Sequence, residues 1–135
     1  MPIVHRSDQL LSRLAALQRA VPAVKGAALI TGDGLVIAAY PPGWDADIHD
    51  PTGGEHVAAL AAVMAGQAER ALARLDQGAF QQIVVEGERG TLAIVQAHTD
   101  AALTLLIERG AALGLALHAA RAAAQDLSAI LDQPA

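Results

Sequence analysis

Val21-Pro22-Ala23-Val24-Lys25-Gly26-Ala27-Ala28-Leu29-Ile30, followed through Thr31 by Gly32-Asp33-Gly34 and then Leu35-Val36-Ile37-Ala38-Ala39-Tyr40, is the stretch on which the reading of this chain turns. Ala27 to Ile30 is a continuous apolar run too short for a helix, which predicts a buried strand. Asp33-Gly34 tolerates the positive φ angles of a tight hairpin, so Leu35 to Tyr40 is expected to return antiparallel to that strand. Upstream, Leu10, Leu14, Leu17 and Val21 recur at steps of four, three and four, the stripe of an amphipathic helix. Ser7 is its expected cap, and Pro22 lies just past its end.

Downstream, Pro41, Pro42 and Gly43 end the second strand and open a long loop through Gly54 that carries Trp44, Asp45, Asp47 and Asp50. Thr52 and Glu55 have capping-box spacing, which predicts a helix from near Gly53 to about Asp76. Its first half, Val57 to Ala65, has no polar side chain, and a helix apolar around its circumference wants cover on more than one side. Phe80 to Glu86 and Thr91 to Ala97 flank Gly87-Glu88-Arg89-Gly90, a second hairpin. Ala101 to Glu108 reads as a fifth strand. Leu113, Leu117, Ala120, Ala124, Leu127 and Leu131 then mark a closing amphipathic helix.

The order is helix, two strands, helix, three strands, helix, and the length of 135 residues suits a single domain spanning 1–135. Ile83-Val84-Val85, Leu92 to Val95 and Leu103 to Ile107 hardly alternate apolar with polar, so both faces of the sheet are expected to be covered. The fold class is therefore α/β (α+β): a three-layer α/β/α sandwich around a five-stranded, mainly antiparallel sheet. The first and last helices share one face and the middle helix has the other to itself.

Composition excludes several function classes. Hydrophobic residues make up 53% of the chain, 32 of its residues are alanine, and aromatics reach only 2%, leaving little ring surface for stacking bases or flat cofactors. Nine Lys and Arg against 14 Asp and Glu give a charge of −5 with no basic cluster, which argues against nucleic acid. Without cysteine there is no disulfide framework, thiolate metal site or thiol nucleophile. Met1 to Asp8 lacks the profile of a signal peptide, and the longest uncharged stretch, His56 to Ala68, is too short to span a bilayer. A cytoplasmic protein without membrane insertion is expected.

No residue set points to catalysis. Gly32-Asp33-Gly34 leads into a strand, whereas a phosphate-binding loop delivers its ligand to a helix N-terminus. His49, Asp50, Glu55 and His56 share one region, but their spacing matches no metal-ligand pattern and a solvated acidic loop explains them. Ser7, Ser12 and Ser128 have no elbow motif around them. Glu86 and Glu88 flank a surface turn, and His5, His98 and His118 stand singly in helix or turn settings. No catalytic residue, metal or cofactor is assigned.

Binding is the better-supported expectation. The unpartnered side of the middle helix is expected to meet its own copy in a twofold dimer. Ala58, Ala62, Ala65 and Gly66 would then permit close approach, and Phe80, Gln81 and Gln82 at the start of the third strand would add an edge-to-edge contact. Gln67, Glu69, Arg70 and Arg74 make the second half of that helix polar, a paired surface for a partner or an ordinary wet helix face. Trp44 is either an anchor inserted into a partner or a cover folded back on the sheet.

The segment Val21 to Ile30 running into Gly32-Asp33-Gly34-Leu35-Val36-Ile37-Ala38, the hairpin Val84-Val85-Glu86-Gly87-Glu88-Arg89-Gly90-Thr91-Leu92 and the order of elements together resemble the roadblock family of dynein light chains and bacterial gliding-motility regulators. The resemblance covers nearly the whole chain and is a fold signature without catalytic residues. It implies a homodimer formed through the middle helix and third strand, acting on small Ras-like GTPases as a GTPase-activating protein or as a scaffold, with a sensor kinase or motor assembly as further partners. Activation in the bacterial regulators is thought to position the GTPase's own residues, so no arginine finger is required here. A second reading is a small-molecule sensor with a GAF-like arrangement, whose pocket would want bulkier walls than Tyr40, Trp44 and Phe80 supply.

Overall fold

The computed structural model describes residues 5–134. Of the stretch Met1 to Asp8, the first four residues therefore lie outside the described ones. Leu10, Leu14 and Leu17 form the buried stripe of α1 (Arg6–Ala20), and Val21 packs half-buried at its end, as their spacing predicts. The helix starts two residues earlier than a Ser7 cap would allow: His5 holds the N-cap position with extended backbone and no side-chain cap bond.

Val24–Thr31 forms β1 and Val36–Tyr40 forms β2. Between them the Gly34 N–H donates to the Thr31 carbonyl at 3.0 Å and the Thr31 N–H donates to the Leu35 carbonyl at 2.9 Å. Only Gly34 takes a positive φ, +84°, so the loop Gly32-Asp33-Gly34 closes with its last residue in the left-handed region. A Cβ on Gly34 would lie 3.3 Å from Ala59 Cα and from Ala62 Cβ, so the hairpin tip abuts the middle helix.

That helix, α2 (Gly54–Arg74), begins without the expected capping box. Gly53 is its N-cap, and Thr52 turns the other way, donating its N–H and its hydroxyl to Asp50 Oδ1, each at 2.9 Å. An aspartate-centred turn, in which Thr52 donates to the Asp50 carboxylate, thus replaces the cap. The strands β3 (Gln82–Glu86), β4 (Gly90–His98) and β5 (Ala101–Glu108) follow, and α3 (Leu113–Leu131) closes the fold. Phe80 and Gln81 precede β3 rather than belonging to it.

The sheet is antiparallel in the order β2-β1-β5-β4-β3, with Ala28 opposite Thr104 and Thr104 opposite Ile94 in the central strands. The second hairpin has the predicted register, Val85 opposite Leu92 and Glu86 opposite Thr91. Two separate cores lie on its two faces. On one, Leu10, Leu14 and Leu17 of α1 and Ala116, Ala120 and Leu127 of α3 pack on Val24, Leu29, Leu103, Leu105 and Ile107. On the other, Ala58, Ala61 and Ala65 of α2, with Phe80, pack on Ala28, Ile30, Ala39, Ile94 and Ala102. The expected division of helices between the faces is the observed one. On α3 the fully buried line shifts to Ala116, Ala120, Ala123, Ala124 and Leu127, while Leu113, Leu117 and Leu131 flank it half-buried. Alanines take the inner line because they let the helix axis approach the sheet closely.

Thr104, central in β5, has a fully buried hydroxyl with no hydrogen-bond partner. Arg13 Nε of α1 pairs with Asp126 Oδ2 of α3 at 2.7 Å, and His98 Nε2, at the end of β4, lies 2.7 Å from Asp132 Oδ1 just past the end of α3. Arg6 Nη2 also donates to the Gln133 carbonyl.

Candidate interaction surface

The inner face of α2 explains its outer one. Gly54, Val57, Ala58, Ala61 and Ala65, at steps of three and four, are buried against the sheet. Turning by about 100° per residue, the opposite face then carries Leu60 and Val63 in the first half of the helix and Gln67, Arg70 and Arg74 in the second. Leu60 is 59% exposed and Val63 62%, large aliphatic side chains held in water beside one another. Single exposed apolar residues are ordinary, but two at a spacing of three on one helix face make a contiguous patch.

This placement corrects part of the sequence-based interface. Ala58, Ala65 and Phe80 are buried inside the protomer's own second core, and Ala62 packs half-buried against it. Ala58, Ala65 and Phe80 therefore have almost no surface to offer a second copy, while Ala62 keeps part of its own. Small residues do mark a close helix contact, but the contact they serve is with the chain's own sheet. Gly66 is half-buried, and a Cβ there would meet Arg70 Nη1 at 3.5 Å, so the guanidinium lies back over it. Gln81 and Gln82 are exposed at the start of β3, the outermost strand on its side of the sheet. The Gln81 carbonyl accepts from the Gln96 N–H at 2.9 Å, and Gln82 Oε1 accepts from Arg121 Nη1 at 3.1 Å. The other side of β3 is an open strand edge. Leu60 and Val63 were missed in the sequence; the stripe of small residues three and four apart was the signal that pointed to the opposite face.

The polar half of α2 divides. Gln67, Arg70 and Arg74 line a shallow depression of about 590 Å³ on the outward face. Glu69 turns instead to the flank, lining a cleft of about 600 Å³ with Phe80, Gln96, His98 and Thr99. Both depressions are open clefts, which differ from the enclosed pocket a GAF-like sensor needs.

Trp44 takes the second of its two settings. Its indole folds back over β1, and its Nε1–H donates to the Thr52 carbonyl at 2.9 Å. A Cβ on Gly26 would stand 2.4 Å from Trp44 Cε2, and one on Gly54 2.8 Å from Cε3, so two glycines make the slot the ring fills. The indole thereby covers the sheet where α2 has not yet begun, instead of projecting as an anchor. In the same loop, hydrogen bonds from the Thr52 N–H and then its hydroxyl hold the Asp50 carboxyl below its ordinary value of 3.8. His56 Nε2 lies 2.6 Å from the Ile48 carbonyl. Among the described residues no three His, Asp or Glu side chains gather as metal ligands would, and no helix is long and apolar enough to cross a membrane.

One helix with an apolar outer patch and an open strand edge are the features this fold leaves exposed. The comparisons identify the kind of protein, a family of regulatory and scaffold domains. Residues 10–107 match the Roadblock/LC7 domain, and the chain belongs to that family. It is 33% identical to the Methanocaldococcus jannaschii protein MJ1340 over 107 residues, 79% of this chain and 87% of that one. Among solved structures it is similar to MglB in a tetrameric arrangement, at 25% identity and a TM-score of 0.81 over 96% of this chain and 93% of that one. A Roadblock/LC7 domain from Streptomyces avermitilis is 25% identical with a TM-score of 0.78, covering 91% of this chain and 98% of that one. The fold of the gliding protein MglB from Thermus thermophilus is shared at a TM-score of 0.80 and 24% identity, over 96% of this chain and 93% of that one.

Proposed function

We propose that this chain is a non-enzymatic cytoplasmic regulator that homodimerises through α2 and β3 and binds a small Ras-like GTPase on the paired helices. The observation that carries the reading is the outward patch of Leu60 and Val63 on a helix whose other side is already packed. Joining two such patches about a twofold axis removes both from water, and the open edge of β3 extends the contact. Arg70, Arg74 and Gln67 then stand at the ends of the joint surface, where a polar rim belongs. Family membership supports the regulatory role, and the MglB likeness supports an assembly of copies.

The test has two stages. Light scattering at micromolar concentration is expected to give the mass of a dimer, and Leu60→Glu with Val63→Glu the mass of a monomer. GTPases recovered with the protein from its native cell are then assayed for GTP hydrolysis with and without it. Faster turnover selects a GTPase-activating protein, unchanged turnover with binding selects a scaffold, and a monomeric parent chain defeats the reading.

A further inference from the structure

A second surface lies where α2 leaves the sheet uncovered. On the α2 face, beyond the start of that helix, Val85 of β3, Leu92 of β4 and Leu106 of β5 floor an open groove of about 500 Å³. Val85 is 40% exposed, and Leu92 and Leu106 are half-buried. One wall is the loop ending at Thr52, beside which stands Lys25; the other is the β3–β4 turn with Arg89. Both cations are exposed, and among the described residues neither is in an ion pair. Carboxylates are near but outside the lining: Asp50 close to Lys25, its oxygen engaged by Thr52, and Glu86 and Glu88 on the turn. The residues that line the groove thus include two cations and no carboxylate, in a chain of net charge −5, while Glu108, opposite Gly90, stands at the end of β5 with the other carboxylates outside it.

We infer that this groove is a docking site for an acidic peptide segment of a partner protein, one that lays aliphatic side chains on Val85, Leu92 and Leu106 and sets carboxylates against Lys25 and Arg89. Aliphatic burial on a sheet floor supplies the non-directional part of such a contact. Charge complementarity supplies register and steering. Cations on opposite walls call for an occupant with more than one carboxylate, which favours a peptide over a single-headed amphiphile such as a fatty acid. The groove's openness agrees, since a small ligand is normally enclosed on most sides. This inference rests on neither the homodimer nor the GTPase.

The test uses the full chain, methyl-labelled for NMR, with three probes: a synthetic peptide alternating leucine and glutamate, its leucine–lysine counterpart, and laurate. The glutamate peptide is expected to shift the Val85, Leu92 and Leu106 methyl signals, and to bind more weakly as sodium chloride is raised. Arg89→Glu and Lys25→Glu alter exposed side chains and leave the fold intact, which unchanged dispersion elsewhere in the spectrum verifies. Each is expected to weaken the glutamate peptide about tenfold, and the pair to prefer the lysine peptide. The inference is overturned if these methyls do not respond, if both peptides bind alike, or if only laurate binds. Leu106, two strands in from the β3 edge, reports on the groove apart from that edge, and a shift of its methyl signals on dilution without any probe would assign the groove to a second copy and overturn the inference equally.

Discussion

The two faces of the sheet bury their apolar surface by opposite means. Beneath α1 the work is done by size, Leu10, Leu14 and Leu17 interlocking with Leu29, Leu103, Leu105 and Ile107 almost wholly shielded, and α3 joins them with Leu127 beside a line of four buried alanines. Beneath α2 it is done by closeness: Ala58, Ala61 and Ala65 meet Ala28, Ala39 and Ala102, with Ile30, Ile94 and Phe80 filling between. The inner positions of α2 are mostly alanine, with Val57 among them, and Leu60 and Val63 stand outward. Both faces thus carry a buried core, and on α2 two large aliphatic side chains remain side by side in water.

The sharpest way to break this contrast is to empty the first core. Leu14→Ala or Leu103→Ala is expected to cost about 2–5 kcal/mol in urea unfolding, because neither site can collapse around the missing atoms. Gly26→Ala probes the α2 side instead. With its new Cβ 2.4 Å from the Trp44 ring, it is expected to cost about 1–3 kcal/mol and to change tryptophan fluorescence as the indole is displaced. A smaller intrinsic change, within about 0.5 kcal/mol per protomer, is expected for Leu60→Glu with Val63→Glu, since both side chains are largely in water. Their effect should appear as loss of the concentration dependence that a dimer gives its unfolding midpoint. An equal loss of stability at all concentrations would mean that this face, too, serves the protomer.

Smallest of all is the effect of Asp50. Its carboxyl is lowered below 3.8 by the Thr52 hydrogen bonds, so its contribution is complete above that value and disappears as pH falls through the folded-state value. The parent should be more stable than Asp50→Asn at neutral pH, and the two curves should converge in acid. Chemical denaturation across that range measures it.

Much of the architecture was legible because its signals are local. The stripe of Leu10, Leu14 and Leu17 reports a helix by period alone. Asp33-Gly34 reports a turn because one residue there must take a positive φ, and Gly34 does. The span of β5, Ala101–Glu108, is the one its run of apolar residues predicts. The caps failed for a related reason: Thr52 had two acceptable partners, and the chain's path chose Asp50 over the helix amides.

By itself, then, the sequence determined the order of helices and strands, the hairpins and the division of the helices between the two faces of the sheet, all properties of periodicity and turn chemistry within short windows. Only the tertiary structure decided which side of α2 is inside. Along that helix nearly every residue from Val57 to Ala65 is apolar, so polarity carries no direction. The choice falls to side-chain volume against the sheet: alanines take most of the inner positions facing Ala28, Ala39 and Ala102, Val57 enters near the start of the helix, and Leu60 and Val63 are left outside. Trp44 was settled in the same way, by the room that Gly26 and Gly54 leave for its ring.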